Sequence, residues 1–127
     1  MSQQYDTGKK TFIADAAIAQ FARVVFESDG RVVTAGLAEV GCGIAQTPAF
    51  AAGDAIDVKL WNSAGTFKMR ASEALAVGAT LYTESDGEVQ DTAQATAVPF
   101  AQALEAATAD GDIIECLLLP YRGAAAE

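Results

Sequence analysis

Seventeen aspartates and glutamates, and no histidine, decide what chemistry this chain of 127 residues can attempt. Without imidazole there is no Ser-His-Asp or Cys-His nucleophile and no His-ligated zinc, so a catalytic site must be made from carboxylates. The densest acidic motif occurs twice, as Glu27-Ser28-Asp29-Gly30 and as Glu84-Ser85-Asp86-Gly87, the second followed by Glu88. Carboxylates on alternate residues suit a hard cation such as calcium. A calcium loop, however, draws about six oxygens from one run, and neither tetrapeptide supplies that pattern. An Asp-Gly step between two β-rich runs has a simpler use as a hairpin tip, because glycine takes φ > 0 without steric cost. Both motifs read as solvated turns.

Other candidate chemistry is thinner. Asp6-Thr7-Gly8 is the tripeptide that aspartic proteases carry on a buried hairpin, but here it stands in a polar leader with no second copy at the repeat spacing. No Gly-rich loop leads into a helix with Lys-Ser or Lys-Thr, so nothing cradles phosphate. Cys42 and Cys116 could make one disulfide but nothing requires it; the plainer reading is two reduced thiols of a protein made in a reducing compartment. No catalytic, cofactor-binding or metal-ligating residue is expected.

The elements around the acidic motif show what it is for. "TFIADAAIAQFARVVFESDGRVV" from Thr11 lies over "TFKMRASEALAVGATLYTESDGEVQ" from Thr66, with a two-residue insertion. Further on, Gly43–Gln46 meets Pro99–Gln102 and Gly53–Leu60 meets Gly111–Leu118. Matching segments in the same order point to internal duplication. Within each copy the pattern is that of short strands. Ala22, Val24 and Phe26 alternate with Arg23, Val25 and Glu27 before the turn, and Val32 and Val33 follow it. Ile56, Val58 and Leu60 face inward, opposite Asp57, Lys59 and Trp61; Ile114, Cys116 and Leu118 take the same inward slots in the second copy. Cys116 therefore replaces Val58 as a core filler. Leu117 and Leu119 stand where the first copy has Lys59 and Trp61, and an apolar outward face needs cover from another element or another subunit. Trp61, Leu117 and Leu119 are the subunit-contact candidates.

The fold expected is all-β, a compact β-barrel-like domain of two pseudo-repeats, 11–61 and 66–119, within one domain at 11–120. A polar N-terminal arm covers 1–10 and a tail 121–127. The alanine-rich stretches "DAAIAQFA", "SEALAV" and "QALEAAT" are possible short helices. Net charge is −9, with ten acids against three bases after Gly65, so the body repels a phosphate backbone and direct nucleic-acid binding is not expected. No apolar run reaches the ~20 residues of a membrane span. No signal peptide is visible, which favours use without secretion.

With those residues in view, the chain resembles the capsid decoration, or cement, proteins of tailed bacteriophages with a duplicated β-rich domain. The likeness is carried by "ARVVFESDGRVVTAG", "GIAQ" and "AAGDAIDVKLW" in the first half, and by "VGATLYTESDGEV" and "PFAQALEAATADGDIIECLLL" in the second. The resemblance implies a structural virion protein without catalytic activity. Such a protein is made in the host bacterial cytoplasm and sits on the outer capsid surface as a homo-oligomer, trimer favoured over dimer. Its partner is the major capsid protein, whose neighbouring subunits it clamps. Gln3, Gln4, Tyr5, Lys9 and Lys10 become the partner-binding candidates, with Tyr5 as anchor and the lysines meeting acidic capsid residues. The plain alternative is a disordered terminus. Other functional readings are a tail or head-fibre subunit, a small ligand-binding β module, or an enzyme working through carboxylates.

Overall fold

The computed structural model describes residues 8–119. Ten short strands follow one another: β1 (Lys9–Ile13), β2 (Arg23–Phe26), β3 (Val32–Thr34), β4 (Gly43–Ala45), β5 (Ala55–Leu60), β6 (Phe67–Arg70), β7 (Thr80–Thr83), β8 (Val89–Gln90), β9 (Pro99–Ala103) and β10 (Ile113–Leu118). They form two five-stranded antiparallel sheets, in the orders β1-β5-β4-β2-β3 and β6-β10-β9-β7-β8. The second order is the first with each strand replaced by its repeat counterpart. The duplication read from the sequence is thus a duplication of sheets.

Strand register corrects the alignment by two residues in two places. Val24 pairs with Gly43 as Leu81 pairs with Ala101, so Gly43 corresponds to Ala101 and not to Pro99. Thr11 faces Asp57 where Lys68 faces Glu115, so Thr11 corresponds to Lys68 and not to Thr66. Side chains alternate with period two along a strand, so a slip of two leaves every residue on its assigned face. The inward slots therefore stand. Ile56, Val58, Ile114 and Cys116 are all buried, and each fully buried isoleucine contributes about 1.5–3 kcal/mol.

Three expectations are revised. The sheets do not close into a barrel: the edges of each meet at one parallel bridge, Ala14 with Val32 and Ala71 with Val89, and a single bridge closes nothing. The alanine-rich stretches are not helical. Phe21 N–H, which a helix would bond to Ala17 O, donates instead to Ala45 O at 2.8 Å, and Ile18 N–H and Leu75 N–H bridge to Ala49 O and Ala107 O, each at 2.9 Å. Ile18 and Leu75 are buried there, and that burial outweighs the helix propensity of alanine. Finally, the arm does not extend to residue 10, because Lys9 and Lys10 belong to β1 and pair with Lys59 and Val58 of β5.

Each sheet buries its own apolar cluster, one around Val24, Val32, Ile56 and Val58, the other around Met69, Leu81, Phe100 and Ile114. The two sheets use their outer faces differently. In the first, Arg23, Ile44 and Lys59 are cross-strand neighbours on β2, β4 and β5. Arg23 and Ile44 are fully buried, and Ile44 belongs to the apolar cluster of the second sheet. The corresponding row of the second sheet is Thr80, Gln102 and Leu117, with Thr80 exposed. The C-terminal half thus covers the outer face of the N-terminal sheet, while no described residues bury its own outer row in the same way.

Candidate functional site

The two Glu-Ser-Asp-Gly motifs have different fates. The first is the exposed tip of the β2–β3 hairpin, closed by Gly30 N–H to Glu27 O at 3.0 Å and by Arg31 N–H to Asp29 Oδ1 at 3.0 Å. Arg31 and Asp15 form an exposed ion pair at 3.5 Å beside it. The second motif is docked on the other half of the molecule. It forms a 3-10 turn at Ser85–Gly87 whose Gly87 is buried and donates to Ala35 O at 3.0 Å. Only the first is the solvated turn expected from the sequence. Among the described residues no group of three or more cysteines, aspartates or glutamates is placed to hold a metal ion.

Arg23 is the residue that makes this docking. Its guanidinium donates from Nε to Glu88 O at 3.1 Å, and also to Glu39 O, to Glu84 O and, at 3.4 Å, to Gly36 O. Two of those carbonyls belong to the first residue of the second acidic motif and to the residue just after it, and two belong to the loop after β3. The ring of Phe100 lies 5.8 Å from the guanidinium carbon. Burial lowers the Arg23 pKa to about 10, against the pull of Glu39 and Glu84, so the side chain stays charged at neutral pH. Thr83 adds to the seam by donating to Leu37 O while accepting from Val98 N–H at 2.9 Å. The sequence pattern shows Arg23 only as alternating with Ala22 and Val24 along the strand. The signal available was its counterpart: the duplicated strand has Thr80 at that place.

Trp61 also serves the seam. Its indole N–H donates to Gly41 O at 2.8 Å, and its ring packs edge-on against Phe67 at 5.1 Å and tilted against Phe100 at 5.7 Å. Leu117 and Leu119 are half-buried, and Leu119 N–H donates to Phe100 O at 3.0 Å. Lys10 lies 5.7 Å from the ring centre of Phe12. Gln3, Gln4 and Tyr5 lie outside the described residues. The structure therefore packs Trp61 against the apolar cluster of the second sheet. Cys42 and Cys116 are free thiols, and burial pushes their pKa up to about 11 and about 12, which keeps both protonated and unreactive at neutral pH.

Beside the seam, a cleft of about 540 Å³ opens between the halves. Phe21, Lys59 and Gln46 line it from the N-terminal half, and Phe67, Lys68, Glu105 and Glu115 from the C-terminal half. Lys59 donates to Thr66 O and lies 4.4 Å from the centre of the Phe67 ring. Glu115 accepts from Thr66 Oγ1 at 2.6 Å, and Glu105 from Glu115 N–H at 2.7 Å.

Carboxylate pairs mark the remaining surface. Burial, a shared proton with Asp110 and the nearby charge of Asp86 raise the Glu88 pKa to about 7, against the pull of Arg70. Hydrogen bonding to Asp15 raises Glu27, and hydrogen bonding to Glu73 raises Asp91. A carboxyl whose pKa is raised on folding binds its proton more tightly in the folded state, so stability is lost as pH rises from about 4.5 through about 7. The thermal midpoint is therefore expected to be higher at pH 5.5 than at pH 7.5, and Glu88→Gln should reduce the difference. Asp112 works in the opposite sense: bonds from Thr108 and Ala109 lower its pKa, so its contribution disappears as pH falls below its ordinary value of 3.8. A midpoint that falls between pH 7.5 and 5.5 contradicts this account.

These features define a duplicated β module with a buried seam and a cleft between its halves. The family model of phage cement proteins matches residues 3–118, and the chain belongs to that family. It is a structural protein of the phage virion. Among solved structures, the chain is similar to the N base of the head fiber gp8.5 of bacteriophage phi29. That likeness has a TM-score of 0.72 at 18% identity, covering 87% of this chain and 92% of that one, and it shows a shared fold. No curated protein matches the chain.

Proposed function

We propose that this protein binds the outer surface of an assembled phage head as a homo-oligomer and stabilises it by clamping neighbouring major capsid subunits, without catalysis. The observation that carries the reading is the cement-family match over residues 3–118. Clamping works through multivalency. Each contact is weak, but contacts that span a subunit boundary exist only in the closed lattice, so their sum favours that lattice. The β1–β5 pairing fixes Lys9 and Lys10 at a sheet edge. In this reading Gln3, Gln4 and Tyr5 contact the capsid, with Tyr5 as anchor, and Lys9 and Lys10 meet acidic capsid residues. Leu117 supports a contact between copies, because it lies in the outer row whose N-terminal equivalent is covered by the other half; Leu119 follows on the same strand face. A trimer is favoured over a dimer.

Cosedimentation with heads of the same phage that lack this protein tests the reading. The full chain should pellet with the heads and raise the temperature at which they release DNA. Deleting residues 2–7, which leaves β1 whole, should weaken binding. Failure of the full chain to pellet overturns the proposal. The likeness to the phi29 head-fibre base favours a second reading, the base of a projecting fibre. In that case the chain binds heads without raising the release temperature.

A further inference from the structure

We propose that the cleft between the two halves receives an extended segment of the capsid partner that carries an acidic side chain beside a basic one. The proposal rests on the cement reading and names the contact within it. The first argument is geometric. A cleft of about 540 Å³ is within the range of built binding sites, and its walls come from both halves, so it exists only because the halves are fused.

The second argument is charge. Lys59 and Lys68 share the cleft with Glu105 and Glu115, yet neither lysine forms an ion pair with a described residue. Both ammonium groups instead rest over aromatic rings, Lys59 at 4.4 Å from Phe67 and Lys68 at 5.8 Å from Phe21. An occupant with a carboxylate for the lysines and a cation for the glutamates satisfies both walls, while its aliphatic stems cover the rings. Burial and the neighbouring Lys9 already penalise the charge on Lys59, and an arriving carboxylate relieves that penalty.

The third argument is that the cleft departs from the repeat. Register places Thr11 opposite Lys68, and Leu117 opposite Lys59, across the duplication, so these cations are not inherited from a shared pattern. Phe21 departs further. It holds φ at 65°, and its place in the other half belongs to Gly78 at φ 85°. The two residues make matching bonds, Phe21 N–H to Ala45 O and Gly78 N–H to Ala103 O, each at 2.8 Å. A phenylalanine in the left-handed region is strained, because its Cβ crowds the following carbonyl oxygen. Strain of that kind persists where a side chain must occupy a particular place, and here the ring forms the cleft wall.

Two variants and one cross-link test the proposal on heads that lack the protein. Lys68→Gln and Glu105→Gln are both expected to weaken binding by about fivefold, because each removes one half of a paired contact. General attraction or repulsion predicts opposite directions, since the first makes the chain more acidic and the second less. Glu105→Gln keeps the oxygen that accepts from Glu115 N–H, so folding is not at stake. Carbodiimide coupling of the bound protein should join Lys59 or Lys68 to an aspartate or glutamate of the head. If the wild-type chain binds heads while both variants match it, or the two move in opposite directions, the cleft proposal fails and the cement reading survives. If the wild-type chain does not bind, both fail.

Discussion

Replacing Arg23 with methionine is expected to destabilise the protein by about 3–5 kcal/mol, a large share of the 5–15 kcal/mol that holds a typical domain together. The size follows from what the guanidinium leaves behind. Its partners are backbone carbonyls of Gly36, Glu39, Glu84 and Glu88, contributed by both halves. When a buried ion pair is replaced whole by apolar residues, stability is often kept, because no charge or acceptor is stranded. That escape is closed here, since main-chain carbonyls cannot be mutated away and a thioether donates nothing to them. Arg23→Lys should recover only part of the loss: an ammonium is a point donor that cannot span four acceptors, and burial disfavours its charge. Urea denaturation measures both. A methionine variant within about 0.5 kcal/mol of wild type shows that water satisfies these carbonyls and that the seam is held by its apolar contacts alone.

The effect of Arg23 also marks the limit of what the sequence revealed. The alternation of Ile56 and Val58, and of Ile114 and Cys116, was legible because one face of each strand is inside and period two separates the faces. The same rule stopped short at β2. It put Arg23 on the face opposite Ala22 and Val24 and could not show that this outer face is covered by the duplicated half. Covering both faces of a sheet is a tertiary event with no local periodicity. The alignment errors at Thr11 and Gly43 had a related cause, because a two-residue slip preserves the pattern from which the strands were read. The cleft was illegible for a simpler reason: Lys59, Lys68, Glu105 and Glu115 are brought together only when the two sheets pack. Only the place of Leu117 in the outer row was legible, because the apolar replacement of Lys59 is visible without knowing the fold.

Replacing Gly87 with alanine is expected to cost about 3 kcal/mol, whereas the same change at Gly30 should cost about 1 kcal/mol, although both glycines end an identical Glu-Ser-Asp-Gly. Both hold positive φ, 71° at Gly87 and 85° at Gly30, so both lose the freedom that only glycine has in the left-handed region. The difference lies in what a methyl group meets. At Gly30 there is open space within 4 Å. At Gly87 the new carbon falls 2.9 Å from Ala22 Cβ and 2.9 Å from Arg23 O, closer than real contacts allow. Relief requires the turn to retreat from β2, and the turn cannot retreat alone. Gly87 N–H is bonded to Ala35 O, and the carbonyls of Glu84 and Glu88 hold Arg23. Asp86 already sits at φ 60° to complete that turn, a strain its counterpart Asp29 does not carry. The substitution at Gly87 should therefore lower the denaturation midpoint and couple to loss of Arg23, so that the double variant costs less than the sum. Equal costs at the two glycines, or strict additivity with Arg23→Met, shows that the second motif is a surface turn like the first and that the halves are joined elsewhere.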